Sequence, residues 1–222
     1  MEVSKMFEYL RLLNVFSQYR TKEEFLTYVM YCSQFTWEEK SKILFVYALM
    51  EQQFEGLRRD SGGPYIDHLR SVAMISMIYI GVKDADEVLA ALLHDATEHF
   101  PGDWSNVHIK KMYGPKVATL VDIMSKPLLK PGGDEEERIR KYHTRFHSAD
   151  KTAVQLKMCD WMHNILTLIY CTPQKQQRKR LEAIEYALPL ALEHRVLYNE
   201  LRTALYSPVL LAVCSFSSFV RP

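Results

Sequence analysis

Apolar side chains recur every three to four positions along most of this chain. No run alternates strictly between apolar and polar residues, so the pattern predicts an all-α fold. Thr36 and Glu39 have the spacing of a capping box. They start a helix near Trp37 whose stripe is Ile43, Val46, Tyr47 and Met50, and which ends before the Gly62-Gly63-Pro64 turn. Beyond that turn, Val72, Ile75, Met77 and Ile78 predict a mostly buried helix from about Ile66 to Ile80, closed by Gly81. Asp84 or Asp86 opens the next helix, in which Val88, Leu89, Ala91, Leu92 and Leu93 are apolar nearly all round, as a central helix requires. That helix turns abruptly polar at His94-Asp95.

Ser105 caps a short helix that ends at Gly114, and Lys116 to Met124 forms another amphipathic segment. Pro127 and Pro131-Gly132-Gly133 force a loop. Asp134, followed by three glutamates, places negative charge at a helix start, and that helix runs to about His147. Lys151 to Leu168 is helical again, and the basic stretch from Gln174 leads into a terminal helix pair around Pro189. With no internal repeat and no linker, the expected division is a helical extension over 1–36, one domain over 37–206 and a tail over 207–222.

Composition narrows the function. In 222 residues, 48% hydrophobic content supplies a packed core and argues against disorder. Lys and Arg total 28 against 27 for Asp and Glu, giving a net charge of +1. This excludes a global bias toward nucleic acid or acidic membranes, so any anionic ligand is caught locally. Cys32, Cys159, Cys171 and Cys214 form no Cys-x-x-Cys pair, and reduced thiols in a cytoplasmic protein are expected. The N-terminal apolar stretch is interrupted by Glu8 and Arg11 and lacks the features of a secretory signal. Val209 to Val220 is broken by serines and falls short of the roughly 20 residues needed to span a bilayer. It is expected to pack on the domain or on another subunit, which leaves homo-oligomerisation open.

The chemistry gathers at three anomalies. His94 and Asp95 end an apolar helix, where titrating groups rarely sit without a partner. Glu98 and His99 follow at helical spacing and can share their face. Asp160 interrupts the apolar pattern of Leu156, Met158, Ile165 and Leu168, with Asn164 one turn later, and His68 opens a buried helix. Two histidines and two carboxylates suit Mn²⁺, Fe²⁺ or Zn²⁺ with positions open to water and substrate. Spacing alone does not establish that the three helices converge.

Three segments then take on meaning together: Pro64-Tyr65-Ile66-Asp67-His68, Ala90-Ala91-Leu92-Leu93-His94-Asp95-Ala96-Thr97-Glu98 and Leu156-Lys157-Met158-Cys159-Asp160-Trp161-Met162-His163-Asn164. In order and approximate spacing they resemble the HD-domain hydrolases of the RelA/SpoT type, over roughly Phe54 to Leu168. The resemblance implies a single-domain HD helical bundle. It implies hydrolysis of guanosine tetra- or pentaphosphate at the 3′ position with release of pyrophosphate, usually with Mn²⁺; Fe²⁺, Zn²⁺ or Mg²⁺ are alternatives. It implies His68, His94, Asp95 and Asp160 as metal ligands, Glu98 as the catalytic glutamate and Asn164 as a nucleotide-site residue. Arg58-Arg59-Asp60-Ser61 resembles the family's nucleotide-gripping segment in either of two alignments, and Arg59 and Ser61 are taken as the contacts.

The family's synthetase domain has no counterpart in the chain, so a stand-alone hydrolase is expected. One departure stands out, since the family usually has Glu-Asp where this chain has Glu98-His99. His99 is read as a second proton shuttle, an extra ligand or a surface residue. Lys157 and Lys126 are placed to meet phosphate, whereas the run Arg138, Arg140, Lys141 and Arg145 reads first as a solvated helix face. His108, His143, His147 and His194 are expected to be solvated. Two rival functions stay open: hydrolysis of another nucleotide or phosphoester, and a metal- or nucleotide-binding regulatory module without turnover.

Overall fold

The computed structural model describes residues 2–17, 21–127 and 133–207, with side chains from residue 6 onward apart from residue 17. Among these residues the regular structure is helical and there is no strand, so the all-α expectation holds. The Pro131-Gly132 part of the expected loop and the Val209–Val220 run lie outside the described residues. No helix among the described residues is long and apolar enough to cross a membrane.

The chain divides into two compact units. One comprises Tyr19–Leu57 and Pro64–Lys157; the other comprises Met1–Gln18, Arg58–Gly63 and Met158–Pro222. The first unit holds α2 (Lys22–Tyr31), α3 (Trp37–Gln53), α4 (Ile66–Met74), α5 (Ala85–Leu93), α6 (Ala96–His99), α7 (Asn106–Tyr113), α8 (Pro115–Met124) and α9 (Glu135–Thr144). The second holds α1 (Glu2–Ser17), α11 (Pro173–Glu182), α12 (Leu188–His194) and α13 (Tyr198–Leu205). Helix α10 (Lys151–Leu166) contributes residues to each.

Helix α5 is the axis of the first unit, with α3, α4 and α8 packed around it and α7 lying against α8. Val88 and the run Ala90 to Leu93 have no accessible surface. This is why the segment reads as apolar on every side, and why the chemistry that follows Leu93 emerges from the interior. The expected helix over Ile66–Ile80 is present in two forms: α4, then a π-helical stretch over Ile75–Ile80. Gly81 ends it at φ 80°, a left-handed conformation that costs glycine little.

At the start of α3, the Thr36 side chain accepts from the Glu39 amide while the Glu39 carboxylate accepts from the Thr36 amide. Thr36→Ala removes one half of this exchange. It is expected to lower stability by about 1 kcal/mol, read as a fall of about 2–4 °C in the thermal midpoint.

In the second unit, α13 packs on both α1 and α12. Tyr9, fully buried on α1, is placed with its hydroxyl 3.5 Å from the Leu166 carbonyl. The expected helix pair around Pro189 is α11 followed by α12. A π-helical turn over Ala183–Ala187 carries the chain directly from α11 into α12. Proline lacks the amide that a regular ladder would need, and a widened turn is a usual place to absorb that loss. The chain reverses later instead, where Arg195 (φ 55°) and Leu197 (φ 53°) adopt left-handed backbone before α13.

Candidate metal and nucleotide site

The sequence predicts that His94, Asp95, Glu98 and His99 lie on one continuing helix. The structure corrects this: α5 stops at Leu93, His94 and Asp95 form a turn, and α6 begins at Ala96. Ser125, at the end of α8, lies at the break. Its Oγ is 2.7 Å from both the His94 and the Val121 carbonyls and accepts from Thr97 Oγ1 at 2.6 Å. A carbonyl engaged by a side chain is satisfied without continuing the helix.

The two imidazoles are buried, each with about 1% of its surface exposed. His94 Nδ1 lies 2.8 Å from the Ala91 carbonyl, which can only accept, so Nδ1 carries a proton and Nε2 is the nitrogen left to face the site. That Nε2 lies 3.3 Å from His68 Nε2. Asp95 closes around the pair, with Oδ1 3.3 Å from His94 Nε2 and Oδ2 3.5 Å from His68 Nε2. Tyr65 donates its hydroxyl to Asp95 Oδ2 at 2.8 Å, fixing the carboxylate from outside.

Asp160 on α10 is also buried. His68, His94 and Asp160 each offer one ligand atom, and these atoms lie within 4.8 Å of one another. Two imidazole nitrogens and a carboxylate converging out of water form a donor set that fits a divalent cation, since a charged acid in such a place needs a counter-charge. Asp160 Oδ1 accepts from Asn164 Nδ2 at 2.5 Å, and Asn164 Oδ1 accepts from Arg59 Nη2 at 2.6 Å. The residues read as ligand and nucleotide contacts are thus linked in one chain. Ser61 is exposed two residues beyond Arg59, in a turn where the Gly62 amide donates to the Arg59 carbonyl. That turn is anchored further by the ion pair of Asp60 with Lys175 at 2.7 Å.

Glu98 is half-buried, and its Oε1 accepts from the Lys126 amide at 2.5 Å. Burial, and then the negative charge of Asp95, push its carboxyl above the usual carboxylate range, while Lys126 and Lys157 pull in the other direction. Lys157 is buried, with Nζ 5.0 Å from the centroid of the Tyr142 ring. His99 is exposed, and its Nε2 lies 3.0 Å from the Tyr65 hydroxyl. Because Tyr65 gives its proton to Asp95, the His99 ring nitrogen is the donor in that contact. The surface, the Tyr65 hydroxyl and Asp95 are therefore connected.

Several residues of this neighbourhood escape sequence reasoning. Tyr65 lies inside a quoted motif, yet nothing local says that its hydroxyl reaches Asp95. Thr97 and Ser125 read as ordinary polar residues. Arg70 is buried and binds Asp67 at 2.7 Å and the Tyr47 hydroxyl at 2.9 Å, bracing the turn of α4 that carries His68.

The basic run divides. Arg138 pairs with Glu135, and Arg140 and Lys141 pair with Glu137 on the same helix, as a solvated face would. Arg145 instead lies over the Tyr142 ring at 4.8 Å. His108 and His147 are exposed as expected. His143, expected to be solvated, is buried beside Tyr142, and His194 is half-buried. Both lie on helix faces that tertiary packing covers.

Comparison with known proteins supplies the family. The family model described as "HD domain" matches residues 46–191. This chain belongs to the HD-domain family. Relatives of this HD domain include a guanosine-3′,5′-bis(diphosphate) 3′-pyrophosphohydrolase of Haemophilus influenzae, 36% identical over 145 residues, covering 64% of this chain and 20% of the relative. The bifunctional (p)ppGpp synthase/hydrolase SpoT of Escherichia coli is 31% identical over 162 residues, covering 72% of this chain and 22% of the relative. The HD-domain chain therefore spans about a fifth of the length of the curated relatives it matches. A solved structure described as "A metazoan ortholog of SpoT hydrolyzes ppGpp and plays a role in starvation responses" superposes with a TM-score of 0.55. It is 21% identical, covers 79% of this chain and 93% of its own, and supports the HD fold.

Proposed function

We propose that this HD domain is a metal-dependent phosphohydrolase that cleaves guanosine 3′,5′-bis(diphosphate) to GDP and pyrophosphate. The observation that carries the reading is the convergence of His68, His94 and Asp160, with Asp95 against both imidazoles. The pyrophosphohydrolase named among the relatives gives that centre its substrate class.

His68, His94, Asp95 and Asp160 would hold the cation, with Mn²⁺ the first choice and Fe²⁺, Zn²⁺ or Mg²⁺ the alternatives. When bound, such an ion acidifies a coordinated water and offsets phosphoryl charge. The chain's own residues do the rest. Glu98 takes the proton as the water oxygen bonds to phosphorus and the bond from phosphorus to the ribose 3′ oxygen breaks; the leaving oxygen takes up a proton. Its Lys126 hydrogen bond fixes the carboxylate's aim. Arg59 and Asn164 position the nucleotide, with Ser61 beside them on the exposed turn. Lys157 places a buried positive charge where negative charge grows during attack.

His99 favours one second reading. The family's acid is replaced by an imidazole that is exposed and held by Tyr65, a change that can retune proton delivery or move the preference to another nucleotide. A panel of nucleotides with Mn²⁺, Zn²⁺ and Mg²⁺, products separated by chromatography, tests both. The expected result is GDP and pyrophosphate in equal amounts, fastest with Mn²⁺. Faster cleavage of a different phosphoester would move the activity to that substrate. Tight nucleotide binding without product would make this domain a regulatory module.

A further inference from the structure

Beside Glu98 is a cavity of about 250 Å³ whose lining includes Thr97, Asn106, Asp122, Ser125, Lys126 and Arg145 and none of the four proposed metal ligands. Two cations, Lys126 and Arg145, line it. The basic residues of α9 are neutralised by glutamates of the same helix, as is usual for surface charge. Among the described residues, neither Lys126 nor Arg145 has a carboxylate at ion-pair distance. The Arg145 guanidinium instead donates to the Ser125 carbonyl and stacks on Tyr142, and its Nε is buried with no hydrogen-bond partner. Lys126 Nζ lies 5.8 Å from the centroid of the same ring.

Other features of the lining favour negative charge. Helix α7 begins at Asn106, and Ser105 caps the His108 amide, so the amides of Asn106 and Val107 lie ahead of the first intrahelical bonds. Helix N-termini of this kind favour anions. Asp122, an exposed residue, is the acid of the lining. The cavity also adjoins the proposed base, since the Lys126 amide holds Glu98 and Thr97 precedes it in the chain.

We infer that this cavity is a phosphoryl subsite that receives the outer phosphate of the nucleotide's 3′ diphosphate, the part that departs as pyrophosphate. The assignment rests on the proposed function for its substrate. Its anion chemistry rests on Lys126, Arg145 and the α7 terminus alone.

Inorganic pyrophosphate, titrated calorimetrically into the full chain after removal of divalent metal by dialysis, is the probe. Wild-type chain and Asp160→Ala are expected to bind it alike. Arg145→Met and Lys126→Gln are expected to weaken binding by about tenfold each, the worth of a charge-assisted contact, and Arg145→Lys to recover part of the loss. Lys126→Gln guards against the chance that loss of the Tyr142 stacking unfolds Arg145→Met, since the Lys126 side chain reaches its half-exposed position without burial. Unchanged binding in both Arg145→Met and Lys126→Gln, or its disappearance in Asp160→Ala, would overturn the subsite.

Competition with guanosine tetraphosphate separates the two readings. Mutual exclusion supports a substrate subsite, whereas independent binding of both ligands overturns it in favour of a separate anion site. If no nucleotide is hydrolysed while pyrophosphate still depends on Arg145, the hydrolase reading fails and the anion site stands.

Discussion

An Asp160→Ala chain is expected to lose its divalent metal and its turnover together. Asp160 supplies a buried carboxylate within 4.8 Å of the ligand nitrogens of His68 and His94. Its removal leaves two imidazoles and Asp95 to hold the cation. Loss of a metal contribution worth several kcal/mol corresponds to a fall in kcat of about 10³-fold or more. Metal content by atomic emission and turnover in Mn²⁺ are the paired measurements. Asp160→Asn is the companion variant, because an amide keeps the shape and a hydrogen bond to Asn164 while removing the charge. Both variants should be metal-poor and inactive with unchanged helical circular dichroism. Full activity in either would remove Asp160 from the ligand set.

Glu98→Gln is expected to separate what Asp160→Ala merges. Glu98 is not among the proposed ligands, and the amide can still accept from the Lys126 backbone. Metal content and nucleotide affinity should therefore stay near wild type, while kcat falls by about 10²–10⁴-fold, the usual contribution of a positioned general base. A variant that loses metal as well would show that Glu98 belongs to the ligand set. Retained turnover would hand proton removal to another group, for which His99 is the exposed alternative.

Much of the fold is legible in the sequence because its signals are local. The Thr36–Glu39 box, the Asp84, Ser105 and Asp134 caps and Gly81 each act within a few residues, and each appears where the pattern puts it. The errors arise where a distant partner decides. Nothing between Ala85 and His99 announces a break, because the hydroxyl that engages the His94 carbonyl belongs to Ser125. Pro189 marks a helix pair, but nothing local says that a π-helical turn joins the two helices without a loop. His143 carries no local mark of burial; the Tyr142 side of α9 supplies it. The metal group is legible only through the resemblance, since no rule of spacing links residues 68, 94 and 160. Tyr65 stayed out of sight for a related reason: a tyrosine in a motif says nothing about where its hydroxyl ends.

Ser125 and Lys126 are consecutive residues at the end of α8. One engages the main chain of a proposed ligand residue, and the other engages the carboxylate proposed to receive the proton. The His94 main chain and the Glu98 carboxylate are thus both referred to the end of one helix. A displacement of the end of α8 would therefore be felt at the proposed ligand and at the proposed base together.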